Sequence, residues 1–132
     1  MATIKSFEDL EVWKKARTLA KDIYDIITAG SLATDFRLRD QMNGSSGSIM
    51  DNIAEGFERD GKAEFITFLA YSKGSAGELR SQLCRALDRN HITHEKFDEL
   101  YNKTIEIGKM ISGFMDYLRK SEFKGNKFKD RT

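Results

Sequence analysis

The chain has 132 residues, of which 39% are hydrophobic and 33% charged; that is enough apolar material for one core and too much for a disordered chain. Twenty-two basic against 21 acidic side chains leave a net charge of +1, so the charge of the whole chain argues against a nucleic-acid or membrane partner. A single cysteine, Cys84, excludes an internal disulfide and a four-cysteine zinc site, and the lack of any proline argues against a β fold or a loop-rich enzyme. No apolar run approaches the ~18 residues of a membrane span. The opening MATIKSFEDL lacks a signal-peptide stretch. The expected location is therefore the cytoplasm.

Four segments carry helical periodicity. The first runs from Ser6, a plausible N-cap, to about Ala29. Its seam is Val12, Ala16, Leu19, Ile23 and Ile26, widened by Trp13, Ala20 and Ile27. Gly30-Ser31 ends it. The second spans about Thr34 to Glu58. Its middle, Gly44 to Ser48, is poor helix by propensity, yet the phase of Leu38 and Met42 continues into Ile49, Ile53 and Phe57. The segment therefore reads as one helix, with small residues where a neighbouring helix approaches closely. After Asp60-Gly61 the third runs from Lys62 to about Asp88, with Phe65, Leu69, Ser72, Ala76, Leu79, Leu83 and Ala86 on a 4,3 stride. Asn90-His91 closes it. Thr93 caps a fourth helix to about Lys120, with a seam from Phe97 to Leu118. Short connections predict an all-α, antiparallel up-down-up-down four-helix bundle. Residues 1–120 form one domain on this reading, and 121–132 a frayed basic tail. From Arg119 onward there are six bases and two acids, whereas the preceding residues hold 16 bases and 19 acids.

Bundles often hold di-metal carboxylate sites, but these need Glu-x-x-His pairs, and none occurs. His91 and His94 fall in the connection before the fourth helix and read as solvated loop residues. Cys84 lies one position beyond the seam residue Leu83, as a partly buried small apolar side chain does. The runs Gly44 to Ser48 and Gly74 to Gly77 lack the lysine and the preceding strand of a phosphate-binding loop. No cofactor, metal or catalytic residue is expected. The most informative feature is polar residues beside apolar seams: Ser48, Asn52 and Glu55 along one side of the second helix, and Ser75, Glu78 and Gln82 on the third. One reading is an acid pair of Glu55 with Glu78 for catalysis. The favoured reading is a hydrogen-bond network that fixes helix register or a subunit contact, because no nucleophile or metal ligand accompanies the pair.

Basic residues cluster locally despite the neutral total. Lys14, Arg17 and Lys21 share a face of the first helix, Arg85 and Arg89 share one on the third, and Lys124 and Lys127 lie in the tail. Such faces bind phosphate when exposed, although a charged stripe is more often the solvent side of an amphipathic helix.

The order of these features resembles a family of small bacterial four-helix proteins first noted as open reading frames in intervening sequences of 23S ribosomal RNA genes, often labelled ribosomal-protein-like. The matching stretches are Ser6-Phe7-Glu8-Asp9-Leu10-Glu11-Val12-Trp13, Gln41, Ser48-Ile49, Asn52-Ile53-Ala54-Glu55-Gly56-Phe57, and Gly74-Ser75-Ala76-Gly77-Glu78-Leu79. The resemblance implies a four-helix protomer and a barrel-like homopentamer. The same fold is found in accessory proteins of diversity-generating retroelements, which look like scaffolds for RNA and reverse transcriptase. No enzymatic activity comes with it. The expected function is a non-enzymatic homo-oligomeric scaffold that meets RNA or an RNA–protein complex through basic faces. The alternative is a protein-interaction module that never touches nucleic acid. Exposed aromatics would mark the subunit face, and Phe36, Phe57 and Phe68, which lie off the main seams, are expected there.

Overall fold

The structure, a computed structural model, describes residues 4–121. It contains α1 (Glu11–Ile27), α2 (Phe36–Glu58), α3 (Lys62–Asp88) and α4 (His94–Lys120), with 3-10 turns at Phe7–Asp9 and Gly30–Thr34. No strand occurs among the described residues.

The expected helix from Ser6 begins later, at Glu11. The Asp9 carboxylate accepts the backbone N–H groups of Lys5 and Ser6 at 2.9 and 3.2 Å, which closes the preceding 3-10 turn. These two bonds hold the Asp9 carboxyl below its ordinary value. Leu10 then turns extended, is itself buried, and lets α1 start afresh. The other boundaries fall close to the sequence reading. At the end of α3, Asn90 adopts a left-handed φ of 61°, and the N–H groups of Asn90 and His91 reach back to the carbonyls of Leu87 and Ala86. This pairing satisfies two orphan carbonyls, and asparagine tolerates the conformation. Thr93 caps α4 as expected, its hydroxyl accepting the Lys96 N–H at 3.1 Å.

The glycine- and serine-rich middle of α2 is helical. Gly44, Gly47 and three serines cost about 0.5–1 kcal/mol each relative to alanine. Leu38, Met42, Ile49 and Ile53, all fully buried, return roughly 1.5–3 kcal/mol each. Burial wins, and the helix runs through.

Cross-helix pairs fix the topology. Asp35–Arg89, Gln41–Arg85, Ser45–Glu78 and the Ile49 carbonyl with Ser72 climb α2 while descending α3, so these helices are antiparallel. Lys15–Glu106 and Asp22–Lys103 relate α1 and α4 in the same way. At the foot of α3, Lys62 donates to the Ser121 carbonyl beyond the end of α4, so that pair is antiparallel too. The helices therefore alternate in direction around a square, and α1 and α3 occupy opposite corners.

The four seams meet in one apolar core. Its largest members with essentially no exposure include Phe57, Leu19, Ile23, Leu69, Leu79 and Leu100. Two corrections concern packing. Phe57, expected at a subunit face, is 1% exposed and stacks edge-on against Phe65. In the small-residue runs expected to admit a neighbouring helix, the serines rather than the glycines do so: Ser45 and Ser46 are buried, whereas a Cβ at Gly44, Gly47 or Gly74 would meet nothing within 4 Å. Gly56 is the exception, since a Cβ there would lie 2.7 Å from the Cβ of Phe68 and 2.9 Å from the Phe65 ring.

Candidate nucleic-acid interface

The polar residues beside the seams divide into separate groups. On α2, Asn52 donates to the Ser48 carbonyl and hydroxyl at 2.8 and 3.0 Å, so these two pair within one helix turn. Glu55 turns outward to Arg59 at 2.9 Å. Glu78 crosses from α3 to accept the Ser45 hydroxyl at 3.0 Å. The two carboxylates thus have different partners, and the network linking all six residues is not made. The residues that do tie α2 to α3 are Ser45 and Ser72, the latter donating to the Ile49 carbonyl at 2.7 Å. Gln82 is buried at 5% exposure, and its Oε1 has no hydrogen-bond partner. Ser75, half-buried on α3, stands outside these bonds.

A second polar cluster escaped sequence reasoning. His91, expected in solvent, has a side chain only 11% exposed. Its Nδ1 faces the Ser31 hydroxyl at 2.7 Å and its Nε2 faces the Asp35 carboxylate at 2.8 Å. Arg89 donates to the same Asp35 oxygen at 2.9 Å. The imidazole first, and then the guanidinium, hold the Asp35 carboxyl below its ordinary value. These residues lie some 60 positions apart in the chain, so no local pattern could have announced them. They clamp the α1–α2 connection to the α3–α4 connection. His94 is exposed at the start of α4, and Cys84, expected to be partly buried, is exposed on α3. Among the described residues no group of three His, Cys, Asp or Glu side chains is arranged to hold a metal ion.

The basic residues expected to meet nucleic acid are largely engaged with their own protein. Lys14, Arg17 and Lys21 point away from the core of α1 and border a shallow depression. Lys14 pairs with Glu11 at 3.4 Å and Lys21 with Asp25 at 2.9 Å, which raises the Lys21 pKa. Arg17 lies over the Trp13 ring, 5.6 Å from its centroid. Arg85 donates to Gln41 and Arg89 to Asp35, both across the α2–α3 seam. Lys124 and Lys127 lie outside the described residues.

Unengaged cations lie elsewhere: Arg37 on α2 and Lys120 at the end of α4 stand singly, and three others gather in one groove. Lys73 and Arg80 on α3 and Lys109 on α4 line a groove of about 500 Å³ between the two helices. Among the described residues, none of the three makes an ion pair or hydrogen bond. The acid in the groove, Asp116, is paired with Arg119 at 3.3 Å. Sequence reasoning missed this group because its members are far apart in the chain. The spacing of Lys73 and Arg80, two helical turns, was the available signal. A second groove of about 660 Å³ runs along the outer face of α2, over Gly44, Gly47 and Ser48 to Glu55 and Phe68.

Fold and surface together define a small antiparallel four-helix bundle with shallow grooves along its sides. More particularly, the chain belongs to the 23S rRNA-intervening sequence protein family, whose model matches residues 8–113. Its fold is similar to that of a crystallised protein of unknown function from the S23 ribosomal protein family of Bacteroides thetaiotaomicron. The two share 25% identity with a TM-score of 0.73, over 79% of this chain and 97% of that one. No curated protein matches the chain.

Proposed function

We propose that the protein is a non-enzymatic homo-oligomeric scaffold, a pentamer in its working form, that associates with RNA or an RNA–protein complex through basic faces in the cytoplasm. The observation that carries the scaffold reading is the outer face of α2. Gly44 and Gly47 cost the helix about 1 kcal/mol each against alanine. Within the protomer nothing packs over them. A face that gives up helix stability for flatness suits the close approach of a second copy. Phe36, 61% exposed at the start of α2, adds apolar surface to it. Repetition of weak phosphate contacts around an oligomer then supplies affinity by multivalency. No described helix is long and apolar enough to cross a membrane.

The test is light scattering after size exclusion, with absorbance at 260 and 280 nm read on the same peak. The expected result is a mass near five protomers with co-purifying nucleic acid. Gly47→Trp is expected to reduce the mass to one protomer while retaining helical circular dichroism. A wild-type monomer would overturn the scaffold reading. A second reading, an interaction module without nucleic acid, is favoured by the pairing of Lys14, Lys21, Arg85 and Arg89 with groups of the same chain. An oligomer free of 260 nm absorbance that ignores RNA at low salt would select it.

A further inference from the structure

We infer that the groove between α3 and α4, bordered by Lys73, Arg80 and Lys109, is the seat of a single-stranded RNA backbone. The inference rests on the RNA-scaffold reading above and assigns its contact surface. Three observations carry it.

The first is charge that is not spent. Most cations on the described surface have a carboxylate, carbonyl or ring partner, whereas these three have none. An engaged lysine brings the negative charge of its carboxylate toward the phosphate. An unengaged one releases only water and counterions. The residues before Arg119 hold 16 bases and 19 acids, a small excess of acid. A local basic groove in such a surface concentrates the attraction in one place.

The second is spacing. Lys73 and Arg80 are separated by seven residues of α3, about 10.5 Å of helix rise. Cations spread along a groove fit an extended chain of phosphates, whereas a single small anion needs donors converging on one point. The groove floor includes Gly108, Ser112 and Gly113, and a Cβ at either glycine would meet nothing. The backbone of α4 is thus open to a close-lying strand.

The third is an aromatic in line. Tyr101 lies one turn before Ile105 on α4, beyond the residues that line the groove but in helical phase with Gly108 and Ser112. It is half-buried and held by Phe97, with ring centroids 5.1 Å apart. Cations beside an aromatic platform are the pattern of single-strand recognition, where bases stack and the backbone is neutralised. An acidic peptide would use the cations and leave the ring idle. The lining of this groove shares no residue with the α2 groove.

The experiment compares two triple variants of the full chain. One is Lys73→Gln/Arg80→Gln/Lys109→Gln; the other removes equal charge from α1, as Lys14→Gln/Arg17→Gln/Lys21→Gln. Binding of a fluorescein-labelled oligouridylate is followed by anisotropy over a salt series, with polyglutamate as competitor. Both variants are checked by circular dichroism and thermal melting. The groove cations have no partners to lose, so the first variant is expected to melt like the wild type. It is expected to bind at least tenfold more weakly at low salt. Its log–log salt slope should fall by about 2, since each phosphate on a single strand contributes about 0.7. The α1 variant should change less than about twofold, and Tyr101→Ala should weaken binding without altering the salt slope. Equal losses in both triple variants would overturn the groove assignment, as would an undiminished groove variant; in either case the RNA reading stands. Wild type that ignores the oligouridylate at low salt overturns both. Polyglutamate that displaces RNA at equal charge concentration, with the same dependence on the groove, would reassign the site to an acidic protein.

Discussion

At the scale of single residues, two positions show how packing sets the meaning of a side chain. Gly56 is the one helical glycine against which the structure closes, with the Cβ of Phe68 and the ring of Phe65 inside normal contact distance of a methyl group. The near neighbour is a Cβ fixed to the α3 backbone, so relief requires the α2–α3 hairpin to open. Gly56→Ala is therefore expected to destabilise the protein by about 1–3 kcal/mol, the usual range for overpacking, despite the gain in helix propensity. Thermal melting beside Gly74→Ala is the check, since the latter has open space and should gain stability. Gln82 presents the opposite case. Its buried Oε1 lacks a donor, and an unsatisfied buried acceptor costs roughly 1–3 kcal/mol. Gln82→Met keeps the shape and removes the acceptor, so urea titration should show equal or greater stability. A clear loss would mean that the amide has a role unmet by the protomer.

At the scale of elements, the ends of the helices are held as firmly as their middles. Asp35 precedes α2, Arg89 follows α3, His91 lies in the α3–α4 connection and Ser31 in the turn after α1, and hydrogen bonds join all four. Because the folded pKa of Asp35 is depressed, its contribution is present above the unfolded carboxyl pKa of about 4 and is lost as the pH falls through the lower folded value. Asp35→Asn is expected to lower the melting temperature near neutral pH, and the difference from wild type should shrink below about pH 4. A difference independent of pH would show that the charge of Asp35 is not what holds the clamp. The same logic explains why Arg89 suits this clamp better than a phosphate contact: releasing it would free a carboxylate and loosen two connections at once.

At the scale of the molecule, the bundle separates its polar work by seam. The α2–α3 seam carries hydrogen bonds and ion pairs from Asp35–Arg89 to Ser72 with the Ile49 carbonyl. The α1–α4 seam carries Lys15–Glu106 and Asp22–Lys103, and the latter raises the Lys103 pKa. The α3–α4 groove holds cations without partners. Charge that stabilises the fold and charge open to a ligand are thus placed on different sides of α3. Net charge, which is near neutral, conceals that division.

Four helices, most of their limits and nearly all of the core are legible along the chain, because burial of a 3.6-residue stripe repeats and leaves a local periodic record. Phe65, Leu69, Ser72, Ala76, Leu79, Leu83 and Ala86 were legible as the seam of α3, and all are buried. Even the glycine-rich centre of α2 was readable, since Leu38 and Ile49 keep one phase across it. Family membership was also legible, in short stretches such as Asn52 to Phe57. Long-range packing sets which polar groups meet. Ser45 meets Glu78 across two helices, and His91 meets Ser31 and Asp35 across two connections. It also decided which cations are spent, which is why Lys73, Arg80 and Lys109 replace the α1 stripe as the open basic surface. Pairing depends on which helix becomes a neighbour and in which direction it runs, and that information lies in long-range packing, not in the spacing of residues along one helix.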